Sequence, residues 1–159
     1  MNSAILDRLK LGLVLLALSG MARGDLVIRV TQGNDSPTKI AIAPIANAGD
    51  ALTEDMARIV EADLQRSGLF AVTPREDMLS YPTMVKDVYY RDWRLVGSEY
   101  LVVGHMTRME DGRYAIDFSL LSVTAQKPVF RHRVTGSAKQ MRDLSHLISD
   151  RVYREITGI

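Results

Sequence analysis

The sequence predicts an α/β fold with α+β character, a mixed five-stranded sheet carrying two long helices packed on one face. Three observations predict it. β-rich runs alternate with a stretch of helical periodicity in the first half, three β-rich runs follow one another in the second, and an amphipathic stretch closes the chain. A layer of helices burying their apolar stripes against one sheet accommodates all three.

The elements follow in order. Residues 39–43, Lys39-Ile40-Ala41-Ile42-Ala43, read as a strand stopped by Pro44. A helix comes next. Thr53 is placed to cap it, and Glu54 and Asp55 sit where the helix dipole favours anions. Met56, Ile59, Val60 and Leu64 then recur at helical spacing, and Gly68 marks the stop. Residues 69–72 are a short strand. Residues 74–88 read as irregular, with Pro74 and Pro82 as breakers, and residues 87–97 as a short helix containing Trp93.

The second half is more regular. Residues 100–106 are nearly all apolar, as expected of a central strand covered on both faces. Residues 113–123 alternate, with Tyr114, Ile116, Phe118 and Leu120 on one face. Asp111-Gly112 between these runs is a tight-hairpin signal, with both central turn positions expected at positive φ. Residues 128–135 form the last strand. The closing helix runs from about 138 to 156, with an inner face of Met141, Leu144, Leu147 or Ile148, Val152 and Ile156, and Gly158 ends it.

The amino-terminal residues carry an export pattern. A mildly basic segment with Arg8 and Lys10 precedes the apolar run Leu11-Gly12-Leu13-Val14-Leu15-Leu16-Ala17-Leu18. That run is shorter than the roughly 20 residues a membrane-spanning helix needs. Ala22-Arg23-Gly24 gives the small-x-small pattern of a signal-peptidase site, so residues 1–24 read as a cleaved signal peptide, with an uncleaved anchor as the alternative. The expected organisation is residues 1–24 signal peptide, 25–38 an amino-terminal strand and tether, and 39–159 one α/β domain. No stable membrane insertion is expected after cleavage.

Charge and cysteine content narrow the function classes. Residues 1–24 hold three of the 20 basic side chains (Arg8, Lys10, Arg23) and one of the 19 acidic ones (Asp7), so cleavage moves the formal charge from +1 to −1. A near-neutral domain has no general field for nucleic acid or anionic lipid, and no nucleic-acid partner is expected. The absence of cysteine excludes disulfides, thiolate metal sites and cysteine nucleophiles.

The residues that carry chemistry in other proteins do not assemble here. His105, His132 and His146 are far apart, and none has a second ligand at i+2 or i+4. Ser145, His146 and Asp150 suggest a triad, yet adjacent helical residues diverge by about 100°, so Ser145 and His146 face different ways. Asp50, Glu54 and Asp55 lack the pattern of a calcium loop and read as helix-capping residues. No catalytic residue, cofactor or metal is expected.

Two features suit binding. Arg131-His132-Arg133 with Lys139 and Arg142 form a modest basic cluster, which also reads as a solvated face balanced by nearby acids. The other is Asp25-Leu26-Val27-Ile28-Arg29-Val30-Thr31-Gln32-Gly33, a β-prone segment on a polar tether. It could pair within its own sheet or add to that of another protein.

A resemblance bears on this choice. The I-A-I-A-P-I segment at 40–45, D-M-A-R-I-V-E-A-D-L-Q-R-S-G-L-F at 55–70, E-Y-L-V-V-G-H-M-T at 99–107, D-G-R-Y at 111–114 and the closing S-H-L-I-S-D-R-V-Y-R-E-I-T-G-I at 145–159 resemble the amino-terminal domain of the TolB family. The resemblance implies a periplasmic adaptor of the Tol–Pal system, which supports outer-membrane integrity and cell division. It implies that the segment Asp25 to Gly33 binds TolA, and that Pal is bound only through a carboxy-terminal propeller missing from this chain. A secreted accessory or ligand-binding α/β domain unrelated to that system is the alternative.

Overall fold

The computed structural model describes residues 36–49 and 54–159. The chain divides into two units, Met1–Gly33 and Asn34–Ile159, and every described residue belongs to the second. Residues 1–24, expected to be a signal peptide, and the 25–33 segment therefore lie outside the described residues, as does Thr53.

The order is β1 (Thr38–Ile42), α1 (Met56–Arg66), β2 (Phe70–Val72), single 3₁₀ turns at Arg75–Asp77 and Val85–Asp87, α2 (Tyr90–Leu95), β3 (Tyr100–Arg108), β4 (Tyr114–Ser122), β5 (Lys127–Gly136), a 3₁₀ turn at Ala138–Gln140, and α3 (Met141–Thr157). The five strands form one sheet in the order β2-β1-β3-β4-β5. β1 runs parallel to β2 and β3, while β3, β4 and β5 form an antiparallel meander. The mixed five-stranded sheet is as expected.

Strand alternation divides the sheet side chains between two cores. Ile40, Ile42, Val102, Ile116, Phe118 and Leu120 pack against Val60 and Leu64 of α1 and Met141, Leu144, Ile148 and Val152 of α3. Both long helices therefore cover one face. On the opposite face Ala41, Leu101, Val103 and Leu121 meet Met78 and Trp93, supplied by the segment between β2 and β3. This explains the unbroken apolar run of β3, which is covered on both sides. Ile148, not Leu147, takes the core position on α3: it is fully buried, and Leu147 is half exposed.

Several local expectations are corrected. Asp55 is the cap of α1, its carboxylate accepting from the Arg58 N–H at 3.2 Å. The apolar stripe of α1 is Met56, Ala57, Val60 and Leu64, and Ile59 lies only half buried at its margin. Ordered helix between 87 and 97 is confined to six residues around the buried Trp93. In the β3–β4 hairpin only Gly112 has positive φ, at +81°, and Asp111 does not. The Gly112 N–H donates to Met109 O at 3.0 Å and the Met109 N–H to Arg113 O at 2.7 Å, closing a three-residue loop with one left-handed residue at its end. α3 is introduced by a capping box in which Ser137 and Gln140 satisfy each other's free groups. It ends where Gly158 adopts φ +74° and donates to Arg154 O. No described helix is long and apolar enough to cross a membrane.

Candidate binding surfaces

Three polar sites of the described domain bear on binding, and the sequence anticipated part of one. Along β5 the two-residue period separates the run Arg131-His132-Arg133. His132 turns to the helical face, where its ring meets Phe118 edge-on at 5.8 Å. Arg131 and Arg133 turn to the opposite face. Arg142 lies on α3 and reaches Glu54 at 3.3 Å. The expected basic cluster is thus dispersed, and two of its members are paired with acids.

Arg133 forks onto Asp117 of β4, with Nε and Nη2 at 2.7 and 2.8 Å from its two oxygens. That pair holds the Asp117 carboxyl below its ordinary value, against a smaller opposing effect of burial. His105 Nε2 stands 3.7 Å from the same carboxylate. Together with the 83–86 segment, these residues border an open groove of about 520 Å³ on the face of the sheet away from the long helices.

The second place is the seam between α1 and α3. Asp63 Oδ2 accepts from His146 Nδ1 at 2.6 Å and from Ser149 Oγ at 2.8 Å, and its other oxygen pairs with Arg66. Burial raises the Asp63 carboxyl, but the hydrogen bonds from His146 and Ser149 outweigh it and leave the group below its ordinary value. Ser145 is fully buried and donates to Met141 O at 2.7 Å. Its hydroxyl does not meet His146, so the Ser145, His146 and Asp150 combination is not a nucleophile and base. Nothing local in the sequence joins Asp63 to residues more than eighty positions away.

The third place is Arg75, which bridges Asp55 at 2.9 Å and Glu61 at 3.1 Å. It fastens the start of α1 to the segment that follows β2, and Tyr81 Oη donates to its carbonyl at 3.1 Å. Among the described residues no group of three His, Asp or Glu side chains is placed to hold a metal ion.

One edge of the described domain is formed by Ser36, Pro37 and Thr38 beside Gly68, Leu69 and Phe70 and the end of α3 at Ile156 and Thr157. The Thr38 N–H donates to Leu69 O at 2.9 Å, so the entering chain is anchored to the strand beside it from its first paired residue. The segment Asp25 to Gly33 precedes this anchor and lies outside the described residues.

Comparison of the sequence with known proteins identifies a family. The model of the TolB amino-terminal domain matches residues 26–129. The Tol-Pal system protein TolB of Marinomonas sp. (strain MWYL1) is 50% identical over 139 residues, covering 86% of this chain and 32% of its own length. That of Alcanivorax borkumensis is 41% identical over 138 residues, covering 87% and 32%. The crystal structure of TolB from Acinetobacter baumannii superposes with a TM-score of 0.65 at 30% identity, covering 78% of this chain and 29% of that one. The chain spans about a third of the length of these relatives.

Proposed function

Because the chain belongs to the TolB amino-terminal domain family, we propose that it is the adaptor domain of a periplasmic Tol–Pal protein, working by holding partner proteins. In this reading residues 1–24 direct export and are removed. Asp25 to Gly33 then form a strand that adds to the sheet of TolA, on the tether that runs to residue 38. The reading assigns the domain no catalytic step and assigns contact with Pal to none of its residues.

The observation that carries the reading is that the described residues by themselves build a five-stranded sheet. Five strands and both cores are built by residues from Thr38 onward. A sheet of five strands is of ordinary size, so the sheet of the described residues does not depend on 25–33, which this reading assigns to another protein. Backbone pairing in such an added strand supplies affinity, and Leu26, Ile28 and Val30, alternating along it, fill pockets on the partner.

Calorimetric titration of the mature chain with the carboxy-terminal domain of TolA tests the proposal. Ile28→Asp should abolish the binding heat, because a carboxylate buried without a partner is costly, and Arg29→Ala should leave most of it if Arg29 points to solvent. Equal binding by the wild-type and Ile28→Asp chains would refute the assignment.

A further inference from the structure

We propose that the groove between Lys86 and Arg131 is a docking site for an extended acidic segment of a partner protein. Its floor is the outer face of the sheet, at Val103 and Asp117; one wall carries Met84 and Lys86, and the other Arg131 and Arg133. The charges are unequally used. Arg133 is matched by Asp117, whereas Lys86 and Arg131, both exposed, have no carboxylate partner among the described residues. The groove therefore carries cationic excess on a chain whose expected mature charge is slightly negative.

Geometry selects the occupant. Arg131 and Arg133 lie on one face of β5 about 7 Å apart, the spacing of alternate side chains in any extended strand. A peptide lying along the groove runs past Arg131 on this wall and Lys86 on the other, the two unmatched cations, while Arg133 stays with Asp117. Met84, 39% exposed, offers the same peptide an apolar contact. A flat lipid surface would not reach a recessed floor. Nucleic acid, which draws its affinity from many neutralised phosphates, would find two unpaired cations and a carboxylate.

The site shares no residue with Asp25 to Gly33, so the two assignments fail separately. Fluorescence anisotropy of a labelled peptide of alternating Glu and Ser, titrated with the full chain at low salt, gives the test. Saturable binding is expected, weakened about tenfold by Lys86→Glu and by Arg131→Glu and unchanged when residues 25–33 are deleted. The double variant should instead bind the matching peptide of alternating Lys and Ser. Circular dichroism of each variant verifies that the fold is kept. Undiminished binding of the acidic peptide by the folded double variant overturns the proposal. So does preferential binding to phosphatidylglycerol vesicles, to single-stranded DNA, or to a second copy of the chain through this face.

Discussion

Asp63 of α1 and His146 of α3 join the two long helices through a 2.6 Å hydrogen bond, Nδ1 to Oδ2, with Ser149 Oγ on the same oxygen. Apolar side chains of both helices share the main core beneath this carboxylate, which is a polar fastener of their seam. Its side chain is 16% exposed.

Asp63→Asn should cost about 1–2 kcal/mol at neutral pH, the range for hydrogen bonds to a charged group when some solvent screening remains. The pH dependence has a definite sign. The folded-state value of Asp63 lies below its ordinary 3.8, so its contribution is present above that value and lost as pH falls through the lower folded one. Thermal melts should show the variant gap at pH 7 narrowing below pH about 4. A gap independent of pH would show that the carboxylate's charge contributes nothing.

Phe118 is 2% exposed and meets Phe130 edge-on at 5.7 Å. Its replacement by alanine removes an aromatic ring from the main core and should cost about 3–5 kcal/mol. Denaturant unfolding should show a lower midpoint. An unchanged midpoint would mean that the ring is not packed between sheet and helices.

Gly104 of β3 lies opposite Phe118 of β4. A Cβ there would stand 3.0 Å from the Asp117 carbonyl oxygen and 3.3 Å from Phe118 Cβ. The first of these is backbone in a paired strand and has little freedom to yield. Gly104→Ala should therefore destabilise by about 1–3 kcal/mol, read as a drop in melting temperature. At Gly136 the corresponding 2.8 Å neighbour is the end of the Leu144 side chain, which can turn aside, so Gly136→Ala should cost less. The reverse order would contradict this packing.

Much of this fold was legible in the sequence. Alternation at Tyr114, Ile116, Phe118 and Leu120 assigns a face to β4, and the spacing of Met141, Leu144 and Val152 assigns one to α3, because burial imposes the period of the element on its side chains. The binding groups were less legible. Arg131-His132-Arg133 is contiguous in sequence, yet a strand sends its middle residue to the other face. Asp63 and His146 are joined only by the crossing of two helices. Asp55 was legible as a helix-capping residue, but Thr53 looked like the cap itself, a position that the bond from Arg58 N–H gives to Asp55. The turn at Gly112 was located correctly and its geometry was not, since dipeptide identity does not set loop length. The remaining binding assignment rests on Asp25 to Gly33, outside the described residues.

The central claim is that the amino-terminal strand binds a partner and the domain folds without it. Its most direct test is deletion of residues 25–33, with capture of the TolA carboxy-terminal domain and thermal unfolding measured on the same preparation. The account predicts that capture is lost while the melting transition stays nearly unchanged. Retained capture, or a deletion that unfolds the domain, would contradict it.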